Sequence, residues 1–593
     1  MEIKEQLLDI IQSAIFSTFK INIEKQEIVL EDTPKDFEGS YTLVTFPIAK
    51  KIRQSPDLVA ETTGKHLVIN YSNIISNYNV IKGFLNLEIS NEIWLEQFKN
   101  IEAAIKPEKS KETILVEFCS PNTNKPLHLG HLRNICLGQA ITNILKFMGH
   151  QVYKINQIND RGIHISKSMA AYKMFSQGET PTSTNTKGDH FVGKYYVAFE
   201  KECKKEISKL IKKTKDADVT PDQCNIMHQA REMLKKWEAN DADTLELWEK
   251  MNNWVYQGFE QTYNLLNLSF DKTYYESQTY INGKDVVKEG LEKGIFYTKE
   301  DGSVWVDLSD EGLGEKLLIR SDGTTVYITQ DLGNADLRYS DYNFDQCIYV
   351  VGDEQDYHFK VLFSILKKLN RPYADKLTHL SYGMVNLPMG KMKSREGTVV
   401  DADDIIEQMI TSAQTYDKEA KNTQGNITDN SQKHKMIGLG ALKFFLLRIN
   451  SKKKLLFNPS ESIDLNGNTG PFIQYTYARI NSVLNKSGFS EIKSSDLSID
   501  YIKKLHIIEK DLIKMIQNFN TKIEQAANEQ EPAVIAQYVF DLAKLYNRMY
   551  AELNILNNED KNITKMRLFI SKNIGSVIKQ SMSMLSIDMP EQM

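Results

Sequence analysis

The sequence predicts a multidomain α/β protein. A Rossmann-like parallel-sheet domain with an insertion is preceded by an N-terminal α+β domain and followed by a C-terminal all-α helical bundle. Three observations predict this. A strand–loop–helix–strand pattern opens at Thr113, charged helical sequence interrupts the strand signals between about 166 and 300, and helical periodicity dominates from Ile437 onward. The chain has 593 residues, enough for roughly four domains of about 150 residues each.

Within residues 3–19, Ile3, Leu7, Leu8, Ile11, Ile15 and Phe19 fall at helical spacing, which predicts an amphipathic helix. Strand-like runs follow at Ile28–Leu30, Tyr41–Phe46, His66–Tyr71 and Gly83–Ile89. This first domain is placed at 1–108, ending in the charged stretch Lys106–Lys111. The central domain is placed at 109–435. Thr113–Ser120 reads as a buried strand, Pro121–Pro126 as a turn-rich loop, His131 to Met148 as a helix and Val152–Gln157 as the next strand, a βαβ unit. Residues 187–265 read as charged helix inside the insertion. Strand signals return at Ser303–Asp307, Thr325–Thr329 and Cys347–Gly352, the last before a helix from His358 to Leu369. The helical domain is placed at 436–593, with helices over 437–449, 471–485, 500–528, 533–555 and 562–585.

Composition narrows the function. Hydrophobic residues at 41% and charged residues at 25% argue against long disorder. Lys plus Arg number 73 against 78 Asp plus Glu, a formal charge of -5 that excludes a wholesale basic coat but not a local basic face. No run of about 18 apolar residues predicts a membrane span. The acid-bearing start Met1–Gln6 lacks a signal-peptide core. Five cysteines without a CxxC pair predict neither a disulfide framework nor a structural metal. A cytoplasmic enzyme is the expectation.

Two segments carry chemistry. His128-Leu129-Gly130-His131 stands at a strand–loop–helix junction, where a helix start offers free N–H groups and a positive dipole end to a triphosphate. Gly130 removes a Cβ that would keep adenine off the backbone. The two imidazoles share one helix side and can both donate to phosphate oxygens. The second segment, Gly390-Lys391-Met392-Lys393-Ser394-Arg395-Glu396-Gly397, follows the strand-like Ser381–Leu387. Three cations among five residues can neutralise charge that builds at an α-phosphate.

These segments resemble the HIGH and KMSKS signatures of class I aminoacyl-tRNA synthetases. Longer strings are similar to the arginyl-tRNA synthetase family in particular: Val116 to Asn134, Arg320 to Asp331, Tyr349 to Phe359, and Asn468-Thr469-Gly470-Pro471-Phe472-Ile473-Gln474-Tyr475 at the start of the helical domain, with the ending Met589–Met593. The resemblance implies activation of L-arginine by ATP with Mg2+ and transfer to tRNA-Arg, by a monomer. It places Glu117, Asn122, Tyr327, Asp331 and Gln355 at the arginine pocket, with Asp331 or Glu117 at the cationic end and the other at the α-amino group or pocket wall. A guanidinium needs such a planar carboxylate partner.

For ATP the resemblance implies Pro121, Asn122, Gly130, His131, His358, Gly383, Met384, Val385, Lys391 and Met392. Catalytic roles fall to His128, His131, Lys125, Lys391 and Arg395. One departure stands out: Ser394 occupies the place of the pattern's second lysine, and Lys125 is expected to supply the missing cation. In the last domain Tyr475, Tyr538, Tyr546, Asn547 and Tyr550 are candidates for tRNA contact, because aromatic stacking reads unstacked bases; core packing is the competing role for the tyrosines. The N-terminal module resembles the family's extra domain, which implies contact with the tRNA elbow. Rival readings are a related enzyme for glutamate or lysine, a non-catalytic tRNA-binding paralogue and a small-molecule nucleotidyltransferase. Pocket carboxylates oppose glutamate, the presence of His128, His131 and Lys391 together opposes the paralogue, and the long helical C-terminus opposes the nucleotidyltransferase.

Overall fold

The computed structural model describes residues 3–34, 36–102, 111–214, 220–386, 400–421, 430–488 and 499–593. The N-terminal elements are α1 (Ile3–Phe19), β1 (Val29–Asp32), β2 (Tyr41–Val44), α2 (Phe46–Ile52), α3 (Pro56–Asn70), β3 (Ile75–Ile81), β4 (Phe84–Ile89) and α4 (Asn91–Lys99). Their strands form an antiparallel sheet ordered β1-β2-β4-β3. The run His66–Tyr71, expected as a strand, instead closes α3. Ser55 caps that helix by accepting from the Leu58 N–H, and Pro56 occupies its first position, so a strong start signal outweighs a short β-branched run.

The central elements begin with β5 (Thr113–Glu117), α5 (Leu129–Phe147) and β6 (Gln151–Ile158). Four helices follow, α6 (Ile163–Phe175), α7 (Gly188–Thr214), α8 (Asn225–Glu238) and α9 (Ala242–Leu265), before β7 (Lys272–Tyr275), α10 (Glu276–Thr279) and α11 (Asn282–Glu292). A small antiparallel sheet, β8 (Phe296–Thr298), β9 (Val304–Asp307) and β10 (Glu315–Ile319), leads to α12 (Tyr327–Tyr342), β11 (Gln346–Gly352), α13 (Asp356–Lys368), β12 (Leu377–Tyr382) and β13 (Val385–Asn386). The expected strand at Thr325–Thr329 is instead the entry to α12. The Thr329 hydroxyl donates to the Leu318 carbonyl, and that tertiary tie overrides the β-branched pattern.

The main sheet is parallel throughout, in the order β12-β11-β5-β6-β7. The chain runs from β5 outward to β6 and β7, then returns to lay β11 on the other side of β5. The strand order therefore reverses between β5 and β11, and a crevice opens beyond their carboxyl ends. Helix α5 starts at that crevice. It is buried on nearly every face because it lies against the sheet and against α15, α20 and α22 of the helical region.

The remaining elements are α14 (Ala402–Lys421), α15 (Ser431–Leu447), β14 (Leu455–Leu456), α16 (Pro459–Ser462), α17 (Gly470–Lys486), α18 (Ile499–Ile502), α19 (Ile507–Gln517), α20 (Phe519–Glu529), α21 (Ala533–Glu552) and α22 (Lys561–Met584). The single helix expected over 500–528 is three. His506 caps α19 reciprocally with Glu509, and Asn518 separates α19 from α20. Among the described residues no helix is long and apolar enough to cross a membrane.

Candidate active site

The loop after β5 turns sharply through two left-handed residues, Cys119 (φ 75°) and Ser120 (φ 43°). Neither is glycine, so each costs about 1–3 kcal/mol and needs support from its surroundings. The Asn134 Oδ1 accepts from the Cys119 N–H at 2.5 Å, and the Asn156 Oδ1 from the Ser120 N–H at 3.1 Å. Asn134 also donates to the Val350 carbonyl (2.7 Å) and the Tyr382 hydroxyl (3.2 Å), tying together the ends of β5, β11 and β12.

Beyond the turn, His128 caps α5. Its Nδ1 accepts from the Gly130 N–H at 3.1 Å, while its own N–H donates to the His131 Nδ1 at 3.1 Å. Both Nδ1 atoms are thus acceptors, which leaves the ring proton of each neutral imidazole on Nε2. The rings lie 3.9 Å apart between centroids. Burial, with Lys125 adding to it, pushes the His128 imidazole down to about 4. Burial, His128 and Lys125 hold His131 well below the usual range. The pair is neutral at pH 7 and offers two N–H donors. Gly130 has a local reason to be glycine: a Cβ there would stand 2.9 Å from the His128 ring.

Lys391, Met392 and Arg395 lie outside the described residues; the described chain resumes at Val400. Val400 accepts from the Leu129 N–H, Ala402 donates to the Leu127 carbonyl, and Asp401 pairs with His128 as an antiparallel bridge. Asp401 and Asp403 then meet the insertion. The His190 Nε2 is 3.2 and 3.1 Å from their carboxylates, and the Lys187 Nζ is 2.5 Å from Asp403 and 3.2 Å from Asp189. Hydrogen bonds to Asp401 and Asp403 push His190 up to about 10. Burial opposes ionisation of Asp403, yet His190 and Lys187 hold its carboxyl well below the usual range. Asp189, His190 and Asp403 have a metal-like grouping, but the cation among them is the Lys187 ammonium. A cavity of about 230 Å³ beside this network is lined by Lys125, His128, His190, Lys194, Tyr196 and Asp401.

The acids across the crevice behave differently. Glu117, at the end of β5, is buried and pairs with the buried Arg338 at 2.7 Å. Burial pushes its carboxyl up, Arg338 pulls it down and Asp331 adds to the rise. Asp331 on α12 is half-exposed and pairs with the His358 Nε2 at 2.7 Å, which brings His358 to the acidic side of the crevice. Tyr327 is 72% exposed at the first turn of α12. Asn122 and Gln355 are exposed, and Pro121 is buried with its carbonyl accepting from the Asn159 N–H. Sequence reasoning missed Glu276, the first residue of α10. Its carboxyl is pushed up to about 7 by burial, with Arg161 opposing and Asp160 and Asp331 adding. No local motif marks it; only the fold brings it near Asp331.

In the helical region the tyrosine candidates divide. Tyr538 and Tyr546 are core residues, which corrects their expected role in tRNA contact. The Tyr538 hydroxyl donates to the Met515 carbonyl and that of Tyr546 to the Ser571 hydroxyl, so neither ring is free to stack. Tyr475 and Tyr550 are exposed, and the Arg479 guanidinium lies 4.8 Å from each ring centre. Asn547 accepts from Arg479 at 2.5 Å and donates to the Thr476 hydroxyl at 2.7 Å. Tyr475, Arg479 and Tyr550 border a groove of about 620 Å³ that also takes in Gln592 and Met593.

A parallel sheet with a histidine-capped helix at its switch point, joined to a helical domain, defines a nucleotide-using enzyme of the class I synthetase type. Comparison with known proteins agrees. Residues 96–458 match the profile of class I tRNA synthetase (R) catalytic domains, 473–593 the DALR anticodon binding domain, and 2–89 the arginyl tRNA synthetase N-terminal domain. The chain belongs to the arginyl-tRNA synthetase family. It is 49% identical over 598 residues to the arginine–tRNA ligase of Amoebophilus asiaticus and 46% identical over 607 residues to that of Phocaeicola vulgatus, covering 100% of both chains each time. In fold it is similar to the solved arginyl-tRNA synthetase of Thermus thermophilus, with a TM-score of 0.76, 23% identity, and 99% of this chain and 100% of that one covered.

Proposed function

We propose that the protein activates L-arginine with ATP, forming arginyl-adenylate and pyrophosphate, and then transfers the arginyl group to tRNA-Arg with release of AMP. The arginine carboxylate oxygen attacks the α-phosphorus in line and the bond to pyrophosphate breaks. The terminal ribose hydroxyl of the tRNA then attacks the activated carbonyl. Little covalent work falls to the protein, so positioning and charge neutralisation carry the rate. Magnesium arrives with ATP as its counter-ion.

The observation that carries this reading is the reciprocal His128–His131 cap at the sheet's switch point. It supplies two neutral N–H donors and a helix start for phosphate oxygens, with the Lys125 ammonium adjacent. In this reading Lys391 and Arg395 add charge on the pyrophosphate side, with Met392 beside them. Gly130 and the Gly383–Val385 backbone flank adenine. Asp331 and Glu276 take the guanidinium, while Glu117, held by Arg338, forms the pocket wall with Asn122, Tyr327 and Gln355. Tyr475, Tyr550, Asn547 and Arg479 offer stacking and edge contacts to anticodon bases. We place the protein in the cytoplasm as a monomer. ATP–pyrophosphate exchange with arginine, with and without tRNA-Arg, tests the reading. Exchange that runs equally well with lysine or glutamate overturns the substrate assignment.

A further inference from the structure

Two residues beyond His131, the Arg133 side chain is wholly buried. Its Nη1 donates to the carbonyls of Gly383 (2.5 Å) and Lys453 (2.9 Å), and its Nη2 to those of Ser451 (3.1 Å) and Asn450 (3.4 Å). A buried guanidinium bound mainly to carbonyls is expensive to desolvate, and it survives only where its surroundings are rigid. The segment 450–453 that it grips lies directly on Gly383. The Gly383 N–H donates to the Ser451 carbonyl at 2.9 Å, and a Cβ on Gly383 would stand 2.8 Å from the Lys452 and Lys453 backbone. Just beyond, β13 and β14 pair in parallel.

The same segment is held from the opposite side. Glu531, buried between α20 and α21, accepts from both the N–H (2.8 Å) and the hydroxyl (2.9 Å) of Ser451 through Oε2. Its Oε1 accepts from the Ala533 N–H at 3.2 Å, which anchors the carboxylate to the start of α21. Glu531 falls within 473–593, the stretch matched by the anticodon-binding profile.

We infer that Glu531 is a positioning residue for the nucleotide subsite. Through Ser451 it fixes the 450–453 segment, and that segment together with Arg133 sets the Gly383–Val385 backbone. The inference rests on the reading that this backbone flanks adenine. It makes the helical domain a structural wall of the ATP site, not only a tRNA-binding appendage.

The test is steady-state pyrophosphate exchange by the full chain with tRNA-Arg present, varying ATP and arginine separately, with a thermal melt of each variant. Glu531→Ala is expected to raise the KM for ATP five- to tenfold while the KM for arginine stays within twofold. Glu531→Gln keeps an acceptor for Ser451 and is expected to recover most of that loss. Where Glu531→Ala does not fold, Ser451→Ala, which removes one hydroxyl, is expected to raise the KM for ATP two- to threefold. An unchanged KM for ATP in the folded variants overturns the inference, as does an equal rise in both KM values. Wild-type protein without arginine-dependent exchange instead sinks the functional reading beneath it.

Discussion

The two ends of the crevice are built by opposite means. At the proposed phosphate end, His128, Gly130 and His131 satisfy one another within four consecutive residues, and burial strips the imidazoles of charge. At the proposed arginine end, Glu117 waits on Arg338, Asp331 on His358 and Glu276 on Arg161, across gaps of many residues. A local cap yields a neutral, preorganised donor pair for an anion. The acids opposite each meet a partner from elsewhere in the chain: Glu117 and Glu276 face arginines, and Asp331 faces the His358 imidazole. Geometry that must be rigid is encoded nearby in the chain, whereas charge that must be balanced is spread over the fold.

The sharpest way to break this contrast is His131→Ala. Losing one preorganised donor costs about 3 kcal/mol of barrier, so exchange should fall by about two to three orders of magnitude with little change in arginine affinity. Near-wild-type exchange ends the phosphate role. Asp331→Asn removes a charge-assisted partner of the guanidinium, worth about 1.5–3 kcal/mol. The KM for arginine should rise roughly 10- to 100-fold while that for ATP holds, and parallel changes would merge the two ends into one site. Tyr550→Ala should raise the KM for tRNA about tenfold, since a stacked base is worth roughly 1–3 kcal/mol, and leave tRNA-saturated exchange intact.

Two smaller effects follow from titration. The Glu276 carboxyl is raised to about 7, so it is mostly protonated at pH 6 and ionised at pH 8. Capture of a cation favours the ionised form, so kcat/KM for arginine should climb across that range, and Glu276→Gln should flatten the climb. His190 is raised to about 10 against roughly 6.5 in the unfolded chain. Its stabilising contribution is full below about pH 6.5 and lost as pH rises through about 10. The gap in melting temperature between wild type and His190→Gln should therefore narrow from pH 6.5 to pH 10; a constant gap removes the ionic tie between α7 and the Asp401–Asp403 segment.

Several features were readable along the chain because their causes are local. The β5–α5–β6 unit follows from one buried apolar run, a polar loop and a periodic helix, and the histidine cap lies where that loop enters the helix. The long α7 and α9 fall in a charged stretch with few breakers, and the helical C-terminal region follows from periodicity. Where β-branched runs lay inside helices, as in α3 and at the entry to α12, a capping serine and a hydroxyl-to-carbonyl tie decided against the pattern. Spacing could not say which tyrosines of α21 face solvent, and Tyr538 and Tyr546 prove to be core.

The amino-acid order alone pointed to the class of fold and to the histidine cap, since both depend on residues within one or two helical turns or a single strand. Only the packed chain decided that Glu117 answers to Arg338, that Glu276 stands near Asp331, and that Glu531 and Arg133 grip one segment from two sides. The reason is that a buried charge takes its partner from whatever the fold brings within a few ångströms. No pattern along the sequence reports that proximity.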